Sequence, residues 1–326
     1  MSLPALLFAA LGHAALATPA GCPDADLDAC AEAAARLIAE GRWPAAAPML
    51  AEACEAGGAN ACYTLGSAYA QGMGPPRDLT TAASLFAMSC DQGDARACGD
   101  LGWMHSEGLG VAQDHAVGRT WMARACEAGQ MRSCGELALL LRDGRGGGAD
   151  PTAAARRAVQ GCDGGDGAAC VILGGLRAGD APMVATALRR ACKLGATEGC
   201  VQAASGAAAA GDDAGAFSFA SDGCTLGDGQ ACAMAGMALQ RGVGAPADPR
   251  AALARFTASC AASYAPGCTA GGLLGIELAS KTVPPGRGAA ARALRMLERA
   301  CGLGERLACD VLSEAGATGA PSPPPP

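Results

Sequence analysis

"ACEAGQMRSCGELALLLRDGRGGGAD", from Ala125 to Asp150, places two cysteines eight residues apart, Cys126 and Cys134, on either side of Gly129. A strongly apolar stretch follows, then Gly144 and Gly146, then Asp150. The same arrangement recurs along the whole chain. The cysteines fall as Cys22 and Cys30, Cys54 and Cys62, Cys90 and Cys98, Cys126 and Cys134, Cys162 and Cys170, Cys192 and Cys200, Cys224 and Cys232, Cys260 and Cys268, Cys301 and Cys309. Every pair has the same spacing, and successive pairs are 32, 36, 36, 36, 30, 32, 36 and 41 residues apart. A period in this range is the mark of a repeat array built from one supersecondary unit.

Other residues keep the same phase. Gly72, Gly108, Gly144 and Gly242 stand at one offset from the second cysteine, and Gly74, Gly110, Gly146 and Gly244 follow two residues later. Asp78, Asp114, Asp150 and Asp248 come next. Glycine supplies the positive φ that ends a helix, and aspartate is a good N-cap for the one that follows. Each unit therefore reads as helix A, a glycine turn, an Asp-capped helix B and a short loop into the next helix A. In helix A, Gly66, Gly102, Gly174 and Gly236 interrupt an apolar stripe, which allows a neighbouring helix to approach closely. In helix B, Phe86, Met122 and Phe256 recur on one face, with Ala82, Ala154 and Ala252 a turn earlier. No strand-like alternation competes. The expected fold is all-α, a right-handed α/α solenoid of helix-turn-helix repeats of about 36 residues with one disulfide per repeat.

The first cysteine of each pair then falls in the last turn of helix B and the second in the first turn of helix A. Gly57, Gly93, Gly129, Gly165, Gly195, Gly227 and Gly304 serve as helix terminators between them. Such a loop can bring the two Cα atoms into the disulfide range of about 4.4–6.8 Å. Zinc sites use shorter ligand spacings or histidines, and beyond the leader only His105 and His115 are present. No C-x-x-C redox motif occurs. Nine local disulfides are expected, with no metal and no cofactor.

Composition limits the partners. Aromatic residues make up 3% of 326, so a core of large side chains is excluded, while small residues suit closely packed helices. The net charge of -7 and the lack of a basic stripe argue against a nucleic-acid backbone. Residues 1–20, "MSLPALLFAALGHAALATPA", contain no Lys, Arg, Asp or Glu and read as a signal peptide, with Ala17 or Ala20 at the cleavage site. Export to the periplasm or the medium follows, and that compartment lets disulfides persist. Cys22 is assigned to a pair with Cys30 in preference to lipid attachment. The array is expected over 22–316, without an internal domain boundary, and the Pro-rich segment 317–326 as a disordered tail. No membrane span is expected.

The segments "ACYTLGSAYAQGMGPPRDLTTAASLFAMSC" (61–90) and "ACGDLGWMHSEGLGVAQDHAVGRTWMARAC" (97–126) resemble Sel1-like repeats, relatives of the tetratricopeptide repeat. The added cysteine pair in each unit is similar to the secreted, cysteine-rich Hcp proteins of bacteria. The resemblance runs over roughly residues 50–312 and weakens at 163–223 and after 269, where turn glycines or the aspartate are missing. It implies a scaffold that binds a protein or peptide ligand on a concave surface of A helices. The Hcp branch implies an alternative, β-lactam binding or hydrolysis near the cell wall. The residues lend that chemistry little: neither Lys193 nor Lys281 has a serine three positions before it, Lys281-Thr282-Val283 departs from K-T-G at its third residue, and no G-x-S-x-G is present. No catalytic residue is assigned.

Offsets of two, five and nine residues from the second cysteine define a stripe on helix A. It contains Thr64, Ser67 and Gln71; Asp100, Trp103 and Glu107; Glu136, Leu139 and Asp143; and Met234, Met237 and Arg241. From these, Trp103, Asp100, Glu107, Leu139 and Met237 are the candidate ligand-binding residues, with Trp103 as anchor because aromatic side chains dominate interface energies. Packing between repeats is the competing role for Trp103 and Met237, and Trp121 on helix B is expected in the core.

Overall fold

The computed structural model describes residues 26–176, 179–281 and 287–314. These form seventeen α-helices and no strand among the described residues. The chain divides between Asp150 and Pro151 into two compact units, a point at which the repeat phase of the sequence marks no boundary. The first unit contains α1 (Leu27–Ala39), α2 (Trp43–Glu55), α3 (Ala59–Gln71), α4 (Leu79–Asp91), α5 (Ala95–Glu107), α6 (His115–Glu127) and α7 (Met131–Asp143). The second contains α8 (Pro151–Asp163), α9 (Gly167–Leu176), α10 (Ala181–Lys193), α11 (Thr197–Ala209), α12 (Asp213–Thr225), α13 (Gly229–Arg241), α14 (Pro249–Ala261), α15 (Ala265–Ser280), α16 (Arg287–Gly302) and α17 (Arg306–Glu314). Odd-numbered helices are the A helices of the repeat and even-numbered ones the B helices. Residues 1–20, read above as a signal peptide, Cys22 and hence its pairing, residues Thr282 and Val283, and the segment 317–326 lie outside the described residues.

One repeat shows why these residues fold as they do. Helix α5 starts at Asp94, whose side chain accepts the N–H groups of Arg96 and Ala97, and stops at Gly108 with φ 71°. The turn folds back until the Asp114 N–H donates to the His105 carbonyl at 2.8 Å. Asp114 then accepts from the N–H groups of Ala116 and Val117 at 2.8 and 3.1 Å and starts α6. The equivalent turn bond, from the aspartate N–H to a carbonyl nine residues back, recurs from Asp78 to Tyr69, Asp150 to Leu141 and Asp248 to Leu239. Asp78 and Asp248 cap α4 and α14 in the same way. The second turn glycine meets the preceding repeat: a Cβ on Gly110 would lie 2.3 Å from the Leu79 backbone, which closes the position to any other residue.

In three repeats the A and B helices meet at a small residue facing a large one. A Cβ on Gly66 would lie 2.9 Å from the Phe86 ring, one on Gly102 2.8 Å from Met122, and one on Gly236 2.7 Å from Phe256. The helix A glycines and the helix B apolar residues of the repeat are thus partners. Ser89 and Ser259, fully buried on B helices, donate to the carbonyls of Ala59 and Gly229 at 2.8 and 2.6 Å and tie the same two helices together.

Among the described residues, eight disulfides join neighbours in sequence, from Cys54–Cys62 to Cys301–Cys309, with Cα–Cα distances of 4.3 to 4.8 Å. Each links the end of a B helix to the start of the next A helix, and the sulfurs are buried in cores otherwise made largely of alanine and leucine. Pairs persist where the helical signal in the sequence is thin: α10 and α12 start at Asp180 and Asp212, which accept from the N–H groups of Met183 and Gly215. Trp121 is half-buried and packs on the core cluster built around Phe86 and Leu101.

Candidate functional site

The A helices α3, α5 and α7 of the first unit line a cleft of about 300 Å³. Its floor is apolar, from Phe86, Leu79, Met104 and Leu109, and its walls carry Tyr63, Ser67, Asp100, Arg132 and Glu136. The A helices can lie this close because small residues separate them: a Cβ on Gly99 would sit 2.5 Å from the Ser133 hydroxyl. Trp103 stands on the rim with 46% of its surface exposed.

Tyr63 and Asp100 form the polar centre. The phenol stands beside the Asp100 carboxylate, and its ring leans on Phe86 with centroids 5.6 Å apart. The Arg96 guanidinium lies 4.2 Å from the Tyr63 ring centre, held there by Asp94 at 2.5 Å and Asn60 at 2.9 Å. Burial pushes the Asp100 carboxyl above the usual carboxylate range, against the opposing pull of the Tyr63 hydroxyl and the Arg132 and Arg96 charges. Burial also raises the Tyr63 phenol, and the neighbouring Asp100 charge adds to the rise. Arg132 pairs with Glu136 at 2.9 Å across one turn of α7. The Ser133 hydroxyl is buried and has no hydrogen-bond partner, an arrangement that costs free energy unless something else supplies one.

The structure brings some sequence-predicted residues together and separates others. Ser67, Gln71, Asp100, Trp103 and Glu136 all line the cleft. Glu107 does not; it pairs with Arg145 at 3.5 Å beside the next glycine turn. Leu139 is half-buried on α7 away from the lining. Met237, 40% exposed, borders a separate cavity of about 190 Å³ in the second unit with Met234, Phe217 and Arg241. Tyr63 and Arg132 were missed. Tyr63 follows its cysteine directly, where the next two repeats have Gly99 and Gly135, so an aromatic in a glycine position was the available signal.

A hydrolytic serine needs a base within hydrogen-bond reach. The lining supplies the carboxylates of Asp100 and Glu136 but no histidine or lysine. The cleft presents an apolar floor, a half-buried carboxylate, an Arg132–Glu136 ion pair and an aromatic rim.

Residues 59–94, 95–130 and 229–259 match the family model "Sel1 repeat". These three segments carry the Sel1 repeat pattern. The first two matched segments are contiguous, and α3 and α5 of the cleft open them. No curated protein sequence matches the chain. Among solved structures, the fold is similar to c5321, a protective antigen present in uropathogenic Escherichia coli strains and displaying an SLR fold. That alignment has 17% identity and a TM-score of 0.63, and covers 92% of this chain and 73% of the other. It is also similar to a Sel1 repeat protein from Oxalobacter formigenes, at 20% identity and a TM-score of 0.64, covering 90% of this chain and 87% of the other. At these identities the likeness shows a shared Sel1-type helical repeat fold. Among the described residues no helix is long and apolar enough to cross a membrane.

Proposed function

We propose that this Sel1-repeat chain is an exported scaffold that holds a segment of a protein or peptide in the cleft between α3, α5 and α7. One observation carries the reading: Trp103, nearly half exposed, stands beside the half-buried Tyr63–Asp100 pair at the mouth of an apolar-floored cleft. Exposing an indole is costly in water, and aromatic side chains at the edge of a pocket are the usual anchors of an interface. Asp100 accepts hydrogen bonds, so the ligand it suits presents an N–H or ammonium group next to an apolar side chain. Export is supported by the disulfides, which need an oxidising compartment, and by the leader-like residues 1–20; cell-wall association is compatible with that compartment.

Capture from the exported fraction of the source cells, with oxidised wild type beside Trp103→Ala, tests the reading. A partner retained by wild type and lost by the variant is expected. Equal recovery by both would remove Trp103 and its cleft from the binding surface. The Hcp-like alternative is tested with the same preparation: turnover of a chromogenic β-lactam by the oxidised chain, absent after reduction and alkylation, would displace the scaffold reading.

A further inference from the structure

The second unit holds a larger cavity, about 650 Å³, between the B helices α14 and α16 and over α15. Four guanidinium side chains line it, Arg250, Arg292, Arg295 and Arg299, around a floor that includes Leu278 and Met296. No aspartate or glutamate is among the lining residues. This concentration of one sign stands out in a chain with 24 basic and 31 acidic residues.

Comparison between repeats shows that the charge is left over and not part of the packing scheme. Arg124, two residues before its cysteine, donates to the Cys90 carbonyl at 2.8 Å and pairs with Asp91 at 3.0 Å. Arg190, in the same register, donates to the Asp163 carbonyl at 3.0 Å and pairs with the Asp163 carboxylate at 2.8 Å. Arg299 repeats the contact, but the acidic position is now Ala261. Its guanidinium reaches the Ala261 carbonyl at 3.4 Å and the Ser263 hydroxyl at 3.0 Å, and neither neutralises it. Ser263 itself adopts φ 62° where the other repeats place glycine, a conformation that disfavours a side chain. Among the described residues, Arg250, Arg292 and Arg295 form no ion pair.

We propose that the α14–α16 cavity binds an anionic amphiphile, its acidic head on the arginines and its aliphatic body on the floor. The volume falls in the range of about 300–1,000 Å³ that small-molecule sites occupy. The head relieves the mutual repulsion of the guanidiniums, which match carboxylate and phosphate geometry with paired donors. Both halves of the ligand are needed. A small anion alone meets exposed, screened charges, and an apolar body with a cationic head is repelled. This site is independent of the cleft around Trp103.

Titration calorimetry on the oxidised full chain tests the proposal, with dodecanoate, dodecyl phosphate, dodecyltrimethylammonium and acetate as probes, each below its micelle threshold. Saturable binding of either dodecyl acid is expected, weakening as salt is added, with none for acetate or the ammonium analogue. The pair of acids separates a carboxylate from a phosphate preference. Arg292→Glu with Arg295→Glu should weaken binding about tenfold or more, and Trp103→Ala should leave it unchanged. If the charge reversal lowers helical circular dichroism, Arg292→Gln with Arg295→Gln is read in its place. Absence of binding by both acids, equal binding of the ammonium analogue, or wild-type affinity in a folded arginine variant would overturn the proposal.

Discussion

The contact between Gly236 and Phe256 makes a prediction whose sign is unusual. A Cβ at position 236 would lie 2.7 Å from Cε1, 2.8 Å from Cδ1 and 3.1 Å from Cζ of the Phe256 ring, well inside van der Waals contact. Overpacking of this kind costs about 1–3 kcal/mol, while alanine in mid-helix gains about 1 kcal/mol over glycine. Gly236→Ala alone should therefore lower stability by about 0–2 kcal/mol. Phe256 is fully buried, so Phe256→Ala should cost about 3–5 kcal/mol. In the double variant the new methyl points into space the ring has vacated. The clash is gone and the propensity gain remains. Gly236→Ala with Phe256→Ala should thus be no less stable than Phe256→Ala alone, a coupling of about 1–3 kcal/mol. Urea unfolding with the disulfides intact measures the sum. Hydrogen exchange in α13 and α14 localises it, because repeat arrays open piecewise. Additive losses in the double variant would refute the claim that this glycine exists to admit this ring.

Further outcomes follow from the same geometry. Cys90→Ala with Cys98→Ala should cost roughly 2–3 kcal/mol, read as faster hydrogen exchange in α4 and α5 under non-reducing conditions. The Thr81 hydroxyl and the backbone N–H groups of Thr81 and Thr80 hold the Asp78 carboxyl below its ordinary value. Its folded-state pKa is depressed, so its contribution is present above the usual carboxylate range and is lost as pH falls through that range and below. Asp78→Asn keeps the cap and should flatten the acid limb of the stability curve. Asp100 runs the opposite way. Its folded-state pKa is raised by burial, so stability falls as pH climbs from the unfolded to the folded value. Asp100→Asn should be more stable than wild type at neutral pH and indistinguishable below the ordinary carboxylate range, by thermal melts across pH. Ser263→Gly should relieve the φ 62° backbone by roughly 1–2 kcal/mol, partly offset by the lost hold on Arg299.

Most of the fold was legible in the sequence because its signals repeat. One cysteine spacing, one glycine turn and one capping aspartate each carry a local physical cause, and the structure returns them at Cys126–Cys134, Gly108 and Asp114. The partner of the helix A glycines needed the third dimension. Gly66 and Phe86 sit on different helices, and only the packing of α3 on α4 shows that they meet. The candidate site was half legible. Helical offsets collected Asp100, Trp103 and Glu136, which line one cleft because they share one face of successive A helices. The same offsets also collected Glu107, whose flexible side chain finds Arg145 instead, and Met237, which belongs to another cavity. Tyr63 escaped because it lies outside the offsets. It reaches the cleft by its length and by its ring contact with Phe86.

The disulfides bear on where function can evolve in such a chain. A buried cystine bridge supplies on the order of 2–3 kcal/mol locally, comparable to burying one large apolar side chain. The cores here are mostly alanine, cysteine and leucine, with Phe86, Met122 and Phe256 as isolated large residues. Because each repeat is closed covalently at the same joint, its stability depends little on what its A helix presents outward. Trp103 and Met237 stand 46% and 40% exposed on such A helices. The same independence explains the arginines of the last repeats. Loss of the acidic partner at Ala261 leaves the Cys260–Cys268 bridge and the Phe256 packing in place, so the charge of Arg299 is free to serve a ligand. The cysteine pairs thus close the joints of both units alike, whatever the A face of one or the B groove of the other presents.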